Sequence, residues 1–133
     1  MKEIQKAVIK KGNKYLILLR SPHALHFPGF WDFPGGKLEA NEDRFAGVER
    51  EVLEETQIKV KALKAVTAYE YDLDGVGKPT HRFTIFNVKI ISKNDVQLSD
   101  EHLEYRWATK EEIKQLEKIE PYIKPYFEMH AKP

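Results

Sequence analysis

The apolar positions near the start of the chain fall into two short strand-like runs. Residues 4–10 (IQKAVIK) and 15–19 (YLILL) read as strands, separated by the turn signal Lys11-Gly12-Asn13. The second run is continuously apolar, which suits a strand buried on both faces. Residues 21–36 contain three prolines and three glycines, so this stretch predicts loop with little regular structure. Helical composition and period take over at residues 43–56, where Phe45, Val48 and Val52 share one side. Strand-like alternation resumes at Ile58 and continues to Leu73. Asp74-Gly75 and Gly77-Lys78-Pro79 break it, and residues 81–91 return as an antiparallel partner. Tyr69, Tyr71, Phe83, Ile85 and Phe86 alternate along this pair as core and sheet face.

A short strand is expected around Tyr105–Trp107. Thr109-x-x-Glu112 forms a capping-box pattern ahead of Ile113 and Leu116, so a helix begins there and Pro121 ends it. Residues 122–131 are expected to form a last short helix. Long strands, one interior helix and one or two helices near the C-terminus predict an α/β fold, a mixed sheet covered by helices. No internal repeat or Pro/Gly/Ser linker divides the chain, so residues 1–133 read as a single domain.

Composition narrows the function classes. A chain of 133 residues can bury a sizeable core. Its formal net charge of +1 provides no global field for a nucleic acid polymer or an anionic membrane. The absence of cysteine removes disulfides, thiolate metal sites and cysteine nucleophiles. Charges interrupt the N-terminal residues every few positions, leaving no signal-peptide core, and no apolar run approaches membrane-spanning length. A cytoplasmic location without a membrane partner is therefore expected.

The helix at 43–56 carries an unusual load of acid. With about 100° of turn per residue, Glu51, Glu54 and Glu55 share an arc of about 100° beside the apolar side. Like charges at helical i, i+4 spacing repel. One reading is a solvated acidic face. The other is a divalent-cation site, because Mg²⁺ takes oxygen ligands from a few carboxylates and from substrate phosphates. Gly47 falls inside the same arc, which suggests a close approach by another backbone. Glu49 lies off the stripe and reads as a solvated edge. Helical geometry alone leaves both readings open.

The wider spacing separates them. Gly36 is followed after five residues by Glu42, and seven residues later by Arg50-Glu51-Val52, then Glu54-Glu55 and Ile58. This resembles the Nudix box, G-x5-E-x7-R-E-U-x-E-E-x-G-U with U aliphatic. At the specified polar and glycine positions the one departure is Gln57, where the family has glycine. Such a match arises by chance in a chain of this size on the order of once in 10⁵.

The resemblance implies a Nudix-type α/β/α sandwich, with a mixed sheet between helices, that hydrolyses a nucleoside diphosphate linked to another group. It implies Mg²⁺ or Mn²⁺ as cofactor. Carried onto this sequence, the metal ligands would be Glu54, Glu55, the Gly35 carbonyl and Glu51, the last as ligand or general base. Arg50 would orient that glutamate or bind anionic oxygen, and Glu42 would support the helix or hold an outer-shell metal. Gln57 would end the helix differently from glycine or bear left-handed strain.

The stretch ahead of the box (WDFPGGKLE) looks like the MutT-like branch, which hydrolyses nucleoside triphosphates. That likeness makes Arg20 and Lys37 candidate substrate contacts, and makes Trp31 and Phe33 candidates to frame a base by stacking or else to pack the core. Many relatives carry a metal-binding or basic glutamate in a later loop, for which Glu101 and then Glu104 are the choices. The implied partner is a small nucleotide, and the implied assembly is a monomer or homodimer. His23, His26, His81 and His130 show no ligand spacing and read as surface or core residues. A non-catalytic nucleotide-binding or metabolite-sensing module on the same fold is the alternative.

Overall fold

A computed structural model describes residues 1–129. The strands are β1 (Lys2–Val8), β2 (Lys10–Lys11), β3 (Lys14–Arg20), β4 (Trp31–Asp32), β5 (Gly35–Lys37), β6 (Val60–Tyr71), β7 (His81–Ile90) and β8 (His102–Thr109). The helices are α1 (Arg44–Thr56), α2 (Lys110–Lys114) and α3 (Ile123–Met129). One sheet runs β5-β1-β7-β6 and is mixed, since β1 and β7 are parallel and the other pairs antiparallel. In the second, all-antiparallel sheet, β8 pairs with the length of β3, while β2 and β4 share its other edge.

Two apolar clusters sit on opposite faces of these strands, because side chains alternate along each strand. Leu16 and Leu18 join Ala7, Ile9, Phe86 and the α1 residues Val48 and Val52. Their neighbour Ile17 joins Val8, Phe83, Ile85 and the C-terminal residues Ile113, Ile123 and Phe127. The apolar run at 15–19 is therefore buried on both sides. With α1 on one face and α2 and α3 on the other, the layers form an α/β/α sandwich. No helix among the described residues is long and apolar enough to cross a membrane.

Several local expectations change. The segment at 21–36 contains two short strands, β4 and β5, because Trp31–Asp32 and Gly35–Gly36 find ladder partners in β3 and β1. The Thr109 capping box forms as read, with Glu112 reciprocating, but α2 stops at Lys114 rather than at Pro121. The chain beyond it is taken up by Trp31, whose N–H donates to the Lys118 carbonyl (2.8 Å) and whose carbonyl accepts from Glu120 N–H (3.0 Å). β8 starts at His102, so Glu104 is a strand residue. The last helix covers Ile123–Met129, with Tyr122 in the turn before it, and the part of the expected span beyond Met129 lies outside the described residues, as does His130. Glu49 is no solvated edge: its Oε2 accepts the Ala62 N–H (2.8 Å) where β6 slips register against β7.

Candidate active site

The box is built on α1 and the glycine loop before it. Asp43 caps the helix, its carboxylate accepting from Ala46 N–H (3.0 Å). At the other end Gln57 sits in the left-handed region (φ 62°) and donates its N–H to the Leu53 carbonyl (2.9 Å). It thus takes the conformation glycine would adopt, as an L-residue with the attendant strain. Gly47 is close to side chains rather than to another backbone, correcting the expectation. A Cβ there would meet Leu38 Cδ1 at 2.6 Å and Glu42 Oε1 at 3.1 Å.

The three α1 acids take different environments. Glu55 is buried, and its Oε1 accepts the Gly35 N–H (2.9 Å). Burial pushes its carboxyl well above the ordinary range, with Lys6 acting in the opposite direction. Glu51 is largely enclosed, and burial raises its pKa against the pull of Arg50. Glu54 is exposed and pairs with Arg50 (3.2 Å).

Arg50 is the organiser of this wall. It grips Glu42 with two hydrogen bonds (2.7 and 3.0 Å), donates to Glu51 Oε1 (3.0 Å) and reaches the Lys37 carbonyl (3.2 Å). Its guanidinium, helped by the Glu39 N–H, holds the Glu42 carboxyl down to about 2. Arg50 thus positions Glu51 and ties α1 to β5, and Glu42 serves as its counter-charge.

Gly35 and Gly36 shape the opposite side. Gly35 has φ 145°, and a Cβ there would strike the Gln5 carbonyl of the neighbouring strand. Gly36 faces Glu51: an added Cβ would lie 2.5 Å from its Oε2. The missing side chain is the space in which that carboxylate rests.

These groups border a cleft of about 540 Å³. Among the residues expected at the site, Gly35, Glu51, Glu55, Glu101, Arg20 and Lys37 line it, joined by Gly36. Glu54, Arg50, Glu104 and Phe33 are not among its lining residues. Phe33 is wholly buried among Tyr122, Tyr126 and Phe127 and leaves no face open to a base. Trp31 is partly buried against the same core. Glu104 points outward from β8 opposite Leu19.

The donor set suits a hard divalent cation. Glu55, Glu101 and His102 each offer a ligand atom, all within 4.8 Å of one another. Glu51 is electrostatically coupled to both Glu55 and Glu101. Burial disfavours charge on Glu51 and Glu55, and a cation among them would restore their ionised form.

Lys6, Arg20 and Glu120 of the cleft lining join the buried Asp32 and His102 in a charged network that the sequence did not reveal. Asp32 is buried, 3.0 Å from Lys6 Nζ and 3.3 Å from Arg20 Nη1. His102 Nε2 approaches its other oxygen at 3.3 Å, and Glu120 lies 3.5 Å from Arg20 Nε. Asp32 is held down at about 2, with burial opposing Lys6, His102 and Arg20. Because Asp32 takes both cations more closely, burial pushes Glu120 up to about 8. The one signal in the sequence was Lys6 inside a strand-like run, since Asp32 falls in the stretch that reads as loop.

A family model of the NUDIX domain matches residues 6–129. The chain belongs to the NUDIX domain family. The 8-oxo-dGTP diphosphatase of Proteus vulgaris is 35% identical over 69 residues, covering 52% of this chain and 62% of that protein. This chain thus matches less than two-thirds of that relative's length. The rat bis(5'-nucleosyl)-tetraphosphatase [asymmetrical] is 28% identical over 106 residues, covering 78% of this chain and 70% of that one. Among solved structures, the MutT protein of Methanosarcina mazei Go1 superposes with a TM-score of 0.84 at 32% identity, covering 96% of this chain and 91% of that chain. NUDIX hydrolases depend on divalent metal in general, and the carboxylates around Glu55 have the matching donor chemistry.

Proposed function

We propose that this NUDIX protein hydrolyses a diphosphate linkage in a nucleoside triphosphate or a related nucleoside diphosphate derivative, using Mg²⁺ or Mn²⁺. The carrying observation is the gathering of Glu51, Glu55 and Glu101 with Arg20 and Lys37 in one cleft beside the Gly35–Gly36 loop. Relatives named as an 8-oxo-dGTP diphosphatase and as a CTP pyrophosphohydrolase support the substrate class.

In this reading Glu55, Glu51 and the Gly35 carbonyl would hold the cation, with the exposed Glu54 beside them on α1. When bound, the cation neutralises the diphosphate and acidifies water. Gly35 N–H fixes the Glu55 carboxylate, and Arg50 fixes Glu51, so the donors are placed before substrate arrives. Glu101, beside Glu51 in the cleft, takes the proton from the attacking water. Glu104 is not assigned that role, because it lies outside the cleft. Arg20 and Lys37 bind phosphate oxygen; Arg20 is already oriented by Asp32 and by the His26 carbonyl (3.1 Å).

The test is incubation of the purified protein with Mg²⁺ and a panel of nucleoside triphosphates, dinucleoside polyphosphates and nucleotide sugars, with products identified. Cleavage at a diphosphate linkage is expected for at least one class. Tight nucleotide binding without turnover in either metal would point instead to the sensing module.

A further inference from the structure

Apart from the acidic group, three side chains from distant segments meet in the same region of the molecule. His26 lies in the loop after β3, Asp74 in the turn between β6 and β7, and His81 opens β7. Each offers a ligand atom within 4.8 Å of the others. His26 Nε2 lies 3.7 Å from Asp74 Oδ1, and the two imidazole rings meet edge to face at 5.0 Å. His26 and His81 both line the cleft.

His81 carries the argument. It is only 1% exposed, and its Nε2 is buried with no hydrogen-bond partner among the described residues. Its other nitrogen is committed. Thr80 Oγ1 donates to the Tyr71 carbonyl (3.4 Å) and accepts the Leu73 N–H (3.1 Å). His81 Nδ1 lies 2.8 Å from the same hydroxyl, and with the hydroxyl proton directed at Tyr71 the ring donates from Nδ1. The Nδ1–H tautomer leaves a lone pair on Nε2. A buried lone pair without a donor calls for an explanation. A ring nitrogen fixed by a hydrogen bond on its far side is the usual support of a metal-ligating histidine.

The flanking backbone is held in place. Arg20 Nε donates to the His26 carbonyl (3.1 Å). The Asp72 carboxylate accepts from Val76 N–H (3.0 Å) and Gly77 N–H (2.8 Å), which pins the turn carrying Asp74. Two imidazoles and one carboxylate are borderline donors, suited to Zn²⁺ and its first-row neighbours, whereas Mg²⁺ takes oxygen.

We propose that His26, Asp74 and His81 form a second metal site, selective for a first-row transition-metal cation of the Zn²⁺ class and separate from the carboxylate site. An ion there would clip the loop after β3 to the β6–β7 turn at the border of the cleft. Three protein ligands leave a coordination position open to water or to a substrate oxygen.

The test uses the full chain, stripped of metal and then held in excess Mg²⁺ to fill the carboxylate site. Zn²⁺ is titrated by calorimetry, and Co²⁺ serves as a visible-absorption probe of nitrogen ligation. One equivalent is expected to bind, with a Co²⁺ spectrum characteristic of imidazole ligands. His26→Ala and Asp74→Asn should each weaken Zn²⁺ by at least about 10-fold, and Thr80→Val should do so by about 10–100-fold through the lost tautomer lock. Glu55→Gln should leave it unchanged. His26 and Asp74 are partly exposed, so their variants inform even if His81 substitutions fail to fold. Absence of Zn²⁺ binding under excess Mg²⁺ would overturn the proposal. So would binding indifferent to His26→Ala and Asp74→Asn, or binding lost in Glu55→Gln.

Discussion

Gly36→Ala should separate catalysis from folding. Gly36 pairs with Gln5 in the β1–β5 ladder and has no positive φ, so its backbone accepts alanine. The new Cβ would lie 2.5 Å from Glu51 Oε2 and 2.6 Å from Cδ, whereas ordinary contact begins near 3.4 Å. The carboxylate must retreat by about 1 Å, a misplacement that costs on the order of 100-fold in rate. That corresponds to about 2.7 kcal/mol of barrier. Stability should change by no more than about 1 kcal/mol, because the displaced atoms are the end of a side chain. Gly35→Ala one residue earlier makes the contrast: its Cβ meets the Gln5 backbone at φ 145°, which should cost roughly 1–3 kcal/mol or more. The assay is kcat and KM in Mg²⁺ for both variants alongside thermal unfolding. A Gly36→Ala enzyme with kcat within about 3-fold of the parent would refute the claim that Glu51 must rest in that space.

Gln57→Gly should stabilise the protein by up to about 1 kcal/mol, since relief of left-handed strain exceeds glycine's entropic cost; thermal melts should rise by a few degrees. Asp32→Asn strands Lys6 and Arg20 without their shared counter-charge, and urea unfolding should show a loss of about 3–5 kcal/mol. Glu120 holds its proton in the folded state up to about 8 and only to about 4.5 when unfolded. The folded state therefore binds more protons between those values, and this group's contribution to stability falls as pH rises through that window. Glu120→Gln should flatten that slope relative to the parent in unfolding measured across pH; an unchanged slope would place the proton elsewhere.

What the sequence revealed was whatever is local or rigidly spaced. The run at 15–19 declared its burial because every position is apolar, and Thr109 and Glu112 declared the start of α2 because a capping box spans one turn. The acidic wall was legible because Gly36, Glu42 and the α1 glutamates keep, along one loop and one helix, the spacing that resembles the Nudix box. The environments of those glutamates were not legible. Helical angle grouped Glu54 with Glu55, yet one is exposed and the other buried, because only tertiary packing decides which edge of an arc meets β5. Pairings across long separations were equally silent: Lys6 with Asp32 and Glu120, and His26 with Asp74 and His81. Each depends on strand order, which no local pattern encodes. The early end of α2 belongs to the same class, since its continuation is captured by Trp31.

The most direct measurement is Mg²⁺-dependent turnover of the best panel substrate by the parent protein and by Glu55→Gln. Gln can keep the Gly35 N–H bond through its amide oxygen while removing the charge. The expected result is a folded variant whose turnover and Mg²⁺ response both collapse, beside a parent that is silenced by chelator and restored by Mg²⁺. A parent that cleaves no nucleoside diphosphate derivative, or a Glu55→Gln protein that cleaves as fast as the parent, would contradict the assignment of this cleft as a metal-dependent hydrolytic site.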